Sequence, residues 1–393
     1  MISATHYTLA AVALLAINVA AFVPSLRSNT FRPTSSIRRS STLEFESVPD
    51  QEEIVEEGAC VVRAPIQFLG PYPTMALRFP DLATFSQRER NATGISLDFV
   101  LDTAANTNTI NAQVASELDL DVVGEALPGL GAGGAISGGD TFLLGDCEID
   151  GLAKEDKFTF MTDLTASALP VASPTSAGLL SLAFFNCFPG GIEFNWGSDK
   201  TPASVTFHGD EEHLELEGMV RVPITTLPLT LLPTVTLRIN GVDIPALFDT
   251  GSPITVLNAQ AAKAANIKTV EKTKPLEKKS SNPFASMAQN FKAAQEAAQA
   301  AARGDILAIA GANGQAIQLL KSTSPVDVQV AVQDDESSST SMGERHLYVG
   351  DLPGLAALDG LGEESPPAAV LGMDVLRQRP RVIFRGQANE VYL

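Results

Sequence analysis

Two apolar runs in this sequence end on the same short constellation. One leads from Gly94 into Asp102-Thr103-Ala104, the other from Gly241 into Asp249-Thr250-Gly251-Ser252. An apolar strand that stops at Asp-Thr presents one carboxylate at a tight loop. Two related loops in one chain imply a pseudo-twofold axis on which the carboxylates meet. Carboxyls about 3 Å apart cannot both ionise, so they share a proton and their apparent pKa values separate. The charged member then takes a proton from a water between them, while the protonated member donates to a carbonyl oxygen. Thr103 and Thr250 supply hydroxyls suited to bonding across the axis, and Gly251 permits close backbone approach.

The elements that must position these loops recur in order. Pro73-Thr74-Met75-Ala76-Leu77-Arg78-Phe79 matches Pro233-Thr234-Val235-Thr236-Leu237-Arg238-Ile239, each alternating as a half-buried strand does. Asn111-Ala112-Gln113 and Asn258-Ala259-Gln260 follow nine residues after each Asp and open a short helix. Gly178-Leu179-Leu180-Ser181-Leu182 and Ala369-Val370-Leu371-Gly372-Met373 close the two units, and terminal strands follow at Gly191 to Trp196 and Arg381 to Phe384. From Asp102 to Ser181 is 79 residues and from Asp249 to Gly372 is 123, so the second copy carries 44 more. Residues 268–303 supply most of them, with Ser281-Asn282-Pro283 as a helix start and an Ala/Gln-rich helix from Phe284. Its narrow apolar edge fits a solvated surface helix better than a docking face. An acidic, Ser-rich loop is expected at 333–341.

Asp249-Thr250-Gly251-Ser252, Asp102-Thr103-Ala104-Ala105 and Val370-Leu371-Gly372-Met373-Asp374 resemble the aspartic protease family, the last segment being nearest its retropepsin-like branch. The resemblance implies a mainly β, bilobal β-barrel fold with a helical insertion in the second lobe. The first lobe would span 61–212 and the second 218–393. It makes Asp102 and Asp249 the catalytic pair, and Thr103, Ala104, Thr250, Gly251, Ser252, Leu371 and Gly372 the support of the catalytic loops. The substrate would be a peptide or protein, and duplication within one chain implies a monomer. Gly-rich stretches containing Gly133 and Gly134, and Gly311 and Gly314, fall where the family carries flaps over substrate; plain hairpin turns explain them equally well. Two positions depart from the pattern: Ala104 and Ser181 each put a side chain where the family has glycine. They leave two readings open, an aspartic-type endopeptidase or a catalytically weak or inactive peptide-binding relative.

Composition narrows the alternatives. With 27 Lys and Arg against 46 Asp and Glu the formal net charge is −19, which argues against nucleic acid. Three cysteines and four histidines show no metal-ligand spacing, so neither a metal nor an organic cofactor is expected. Cys147 and Cys187 are expected as buried free thiols. No acidic residue precedes Glu44, and residues 9–23 are a 15-residue apolar run followed by an Arg/Ser-rich stretch. Residues 1–43 resemble a bipartite plastid presequence, which implies the stroma, reached by the secretory route; a secreted or endomembrane protein is the alternative. A flexible acidic arm is expected at 44–60, and no membrane span once the presequence is removed.

Overall fold

A computed structural model of the chain describes residues 61–125, 129–131, 134–136, 139–152, 158–169, 176–228, 230–270, 303–310, 316–332, 338–362 and 364–393. The leader, the acidic arm, the insertion beyond Val270 up to residue 302, and Gly133, Gly311 and Gly314 lie outside them.

Alternation builds the first hairpin. In Tyr72–Phe79 the side chains of Met75, Leu77 and Phe79 are fully buried, and the residues between them turn to the other face. This strand pairs antiparallel with Ile95–Leu101, whose Leu97, Phe99 and Leu101 join the same core. Pro233–Ile239 and Val242–Phe248 make the equivalent hairpin in the second half, with Val235, Leu237 and Ile239 buried alongside Ile244, Ala246 and Phe248.

Each hairpin then receives a parallel neighbour. Gly178–Leu180 lies beside Ile95–Leu101 with Leu180 opposite Leu101, and Ala369–Leu371 lies beside Val242–Phe248 with Leu371 opposite Phe248. The two registers are offset by 79 and 123 residues, the intervals that separate Asp102 from Ser181 and Asp249 from Gly372. The same closing strands run antiparallel to Thr109–Asn111 and Val256–Leu257, the strands that leave the Asp loops. Each loop is therefore pinned on both sides by one closing strand. Asn111 and Asn258 cap the helices Ala112–Leu118 and Ala259–Ala264, accepting from the backbone N–H of Gln113 at 2.9 Å and Ala261 at 2.7 Å.

The architecture is mainly β and bilobal. An eight-stranded sheet belongs to the first half and a ten-stranded sheet to the second. A six-stranded sheet takes strands from both, joined where Gly191–Asn195 pairs antiparallel with Arg381–Arg385. Phe384 stacks on Phe248 there, ring centroids 5.7 Å apart, and meets the edge of Phe185 at 6.4 Å. Both stacked rings are buried, so this seam is part of the core.

Two expectations are corrected. The acidic loop expected at 333–341 gives way by Ser339, because Ser339–Arg345 pairs with Val326–Ala331. The Ser339 and Ser341 hydroxyls bond across the strands to Gln329 and Asp327, so the serines serve the sheet. Cys147 is a buried thiol as expected, but Cys187 is exposed, standing in the turn after the helix Leu182–Phe185.

Truncating Phe384 empties the seam between the halves. Phe384→Ala is expected to cost about 3–5 kcal/mol in urea unfolding, the usual range for a fully buried ring. A loss below about 1 kcal/mol would contradict this packing account.

Candidate functional site

Thr103 and Thr250 are completely buried, and each uses its hydroxyl twice. Thr103 Oγ1 donates to the Phe248 carbonyl at 2.7 Å and accepts from the Thr250 N–H at 3.0 Å. Thr250 Oγ1 donates to the Leu101 carbonyl at 2.7 Å and accepts from the Thr103 N–H at 3.1 Å. The four bonds are reciprocal, and they define a local pseudo-twofold axis. Their carbonyl acceptors belong to residues whose side chains are fully buried, so the axis is anchored in the core.

This clasp brings the two Asp side chains together. The Asp102 N–H donates to Leu180 O at 2.9 Å and the Asp249 N–H to Leu371 O at 3.0 Å, which ties both loops to the closing strands. Asp102 Oδ1 accepts from the Ala104 N–H at 2.8 Å. On the other side of the axis Asp249 Oδ1 is buried without a hydrogen-bond partner among the described residues. The two carboxyls are near enough for the charge of Asp102 to bear on Asp249. A Cβ built on Gly251 would overlap the Asp102 carboxyl group, so glycine here leaves space for the partner loop's acid.

Burial pushes the Asp102 carboxyl up to about 6 against the opposing pull of its backbone donors. Asp249 is held well above the ordinary carboxylate range, first by burial and then by the charge of Asp102. The pair therefore keeps one proton where isolated carboxyls have lost both.

An aspartyl protease family model matches residues 235–295.

That span contains Asp249-Thr250-Gly251, so the second loop and its hairpin are aspartyl-protease-like. Solved structures similar to this chain include edgp, at 13% identity and TM-score 0.42, covering 84% of this chain and 94% of that one. Basic 7S globulin from soybean has 13% identity and TM-score 0.43, covering 85% and 94%. Conglutin gamma, a basic 7S globulin from lupine seeds, has 10% identity and TM-score 0.44, also covering 85% and 94%. No curated protein matches the chain.

Around the two Asp loops the two halves use different chemistry for one task. In the second half Thr255 Oγ1 accepts from the Gly372 N–H at 3.0 Å and donates to Asp374 Oδ1 at 2.7 Å. A side chain on Gly372 would strike the Ile254 backbone. The first half places Asn108 at the Thr255 position, and its Oδ1 accepts from both the N–H and the hydroxyl of Ser181, each at 3.0 Å. Ser181 Oγ in turn accepts from the Ala183 N–H at 3.1 Å and caps the helix Leu182–Phe185. The proton thus runs the other way: Thr255 donates to the Asp374 carboxylate, whereas in the first half Ser181 donates and Asn108 accepts. The Ser181 backbone is extended, with φ −102° and ψ −177°, so the side chain carries no left-handed strain. Ala104 is likewise absent from the positive-φ residues among those described, and its methyl costs nothing in backbone conformation.

Leu371 and Gly372 sit at the end of the second closing strand, as the spacing requires. Ser252 Oγ donates to Ile254 O at 2.8 Å and so steadies the loop rather than facing across the axis. Gly134 opens the strand Gly134–Ile136, which pairs with Gly129–Gly131; this hairpin lies against the 3-10 helix Pro353–Leu358 of the second half. A second hairpin, Ile306–Ala310 with Ala316–Lys321, brackets residues 311–315. Sequence reasoning missed Asn108 and Thr255, six residues after each Asp. The shared interval was the available signal.

Thr250→Val keeps the shape and removes the hydroxyl, leaving Thr103 N–H and Leu101 C=O buried without partners. An expected loss of about 2–4 kcal/mol follows, while Thr250→Ser should lose less than about 1.5 kcal/mol because the clasp survives. Equal losses in urea titrations of the two variants would contradict the assignment.

The raised carboxyls also predict a pH dependence with a definite sign. The neutral form of Asp102 suits the folded site, so its contribution is fully present below the unfolded Asp pKa of about 3.9 and is lost as pH rises through about 6. Asp102→Asn stays neutral throughout. Its melting temperature, measured against the parent chain, should gain on the parent as pH rises from 4 through 6–7. A difference independent of pH would count against a raised pair.

Proposed function

We propose that this chain is an aspartic-type endopeptidase that hydrolyses peptide bonds with a water activated between Asp102 and Asp249. The observation that carries the reading is the reciprocal threonine clasp, which sets two carboxyls with raised proton affinities on one axis. The ionised carboxylate takes a proton from water as its oxygen attacks the peptide carbonyl, and the protonated carboxyl donates to the carbonyl oxygen. The resulting gem-diol collapses, with the proton taken from water passing to the leaving amine. Atoms and charges balance without a metal or an organic cofactor.

Within this reading the lobes span 61–212 and 218–393 and descend from one duplicated unit, supported by the matched registers. A monomer suffices, since both carboxyls come from one chain. The hairpin Gly129–Gly131 with Gly134–Ile136 serves as a flap, supported by its contact with the second half. Residues 1–43 direct the protein to the plastid stroma.

Cleavage of a peptide library should stop in Asp102→Asn and in Asp249→Asn, and the double variant should be no worse than either, because groups acting as a unit give non-additive losses. Activity should fall on both sides of an acidic to near-neutral optimum as the pair gains its second proton or loses its last. Pepstatin-resistant cleavage that survives both substitutions would overturn the proposal. Tight peptide binding with no turnover in the parent chain would identify a binding relative instead.

A further inference from the structure

The face of the first hairpin that turns away from the core carries a residue the hydrolytic scheme does not use. Tyr72–Phe79 pairs with Ile95–Leu101 so that Thr74 stands opposite Val100. Continuing that register by two residues sets Tyr72 opposite Asp102. Alternation puts both on the face shared by Thr74 and Val100, since Met75, Leu77 and Phe99 fill the core on the other. Residues directly opposite in an antiparallel pair hold their side chains close enough to touch.

Two further facts accord with this register. Tyr72 is only half-buried, and its hydroxyl has no hydrogen-bond partner among the described residues. Burial raises its pKa, and the charges of Asp249 and then Asp102 raise it further, so the ring reaches the field of both carboxyls. The hairpin that bears it is fixed. Thr74 Oγ1 donates to Gln67 O at 2.9 Å, and the Arg377 guanidinium of the second half lies over the Phe68 ring at 4.4 Å.

The second half answers with a different residue. Thr234 stands opposite Leu247, and the same continuation sets Leu232 opposite Asp249. Leu232 is 8% exposed and is packed into an apolar cluster with Leu247, Val256 and Leu355. The two sides of the paired acids are thus unlike: a half-buried phenol on one, a covered aliphatic chain on the other.

We infer that Tyr72 is a specificity-determining residue, whose hydroxyl donates a hydrogen bond to a neutral acceptor side chain of a bound peptide, such as Asn or Gln, beside the scissile bond. The charge on the acid pair disfavours an anionic side chain at that place, and the phenol supplies the donor. A site built to hydrogen-bond one group discriminates strongly against the isostere that lacks it. This inference rests on the endopeptidase reading for its geometry, and it is tested separately from it.

The probes are two statine-containing hexapeptides that differ at one residue next to the statine, Asn in one and Leu in the other, with the set repeated on the opposite side. Binding to the full chain is measured by calorimetry and needs no turnover. The chain is expected to prefer Asn to Leu by about 10-fold on one side only, and Tyr72→Phe should abolish that preference while leaving the Leu peptide within about twofold. Cleavage of matched substrates should show the same loss in kcat/KM with an unchanged pH profile. If Tyr72→Phe weakens both peptides equally and shifts the pH profile, the hydroxyl serves the acids rather than the ligand, and the inference fails. An unchanged preference overturns it as well. Loss of the binding preference in a chain that cleaves nothing upholds Tyr72 and sinks the endopeptidase reading; cleavage with no Asn preference does the reverse.

Discussion

Everything at the centre of this molecule depends on two buried hydroxyls that each bond to the opposite loop. A hydroxyl has one proton and two lone pairs. Thr103 and Thr250 each spend the proton on a carbonyl across the axis and a lone pair on an N–H across the axis. No other small side chain does this as well: valine offers neither, and serine lacks the methyl that fills the site. Because all four partners are buried, the alternative to the clasp is a set of unsatisfied backbone groups, not a return to water. The halves are held together by that asymmetry of cost as much as by the phenylalanine seam beneath.

The clasp fixes where the acids stand, but the closing segments decide how firmly they stand there. Both halves meet the same need, a polar atom to receive the N–H at the end of the closing strand. Thr255 Oγ1 does it on one side and Asn108 Oδ1 on the other. The hydroxyls beside that N–H are wired differently: Thr255 gives its proton to the Asp374 carboxylate, whereas Ser181 gives its proton to Asn108 and accepts from the Ala183 N–H. Approximate symmetry in backbone thus coexists with different side-chain wiring. The same holds on the outer face, with Tyr72 against Leu232.

Much of this was legible before any coordinates. Alternation located the hairpins because their buried face is unbroken from Met75 to Phe79 and from Val235 to Ile239. The spacing from each Asp to its closing segment reappears as strand register, since a parallel neighbour must place its last residue beside the strand's last. Asn111 and Asn258 read correctly as helix starts because capping is local in sequence. Asn108 and Thr255 showed only as a shared six-residue interval after each Asp: a polar residue in a polar loop does not itself say that it will meet a main-chain N–H more than 70 residues on. Ser181 was read as an obstruction because a side chain at a close approach costs space. Its hydroxyl repays that cost only through Asn108 and Ala183. Tyr72 stands 30 residues before Asp102, and only the hairpin register, continued two residues past Thr74 and Val100, sets the two opposite each other.

The central claim is that the clasp makes Asp102 and Asp249 one titrating unit. Carbon-13 NMR of the chain labelled at aspartate carboxyls reads this directly. The account predicts two carboxyl signals that both move in both of two separated steps, the later one at or above about 6, and a single remaining signal without the split in Asp102→Asn. Two signals that titrate independently, each in one step near the ordinary value of about 3.9, would contradict it.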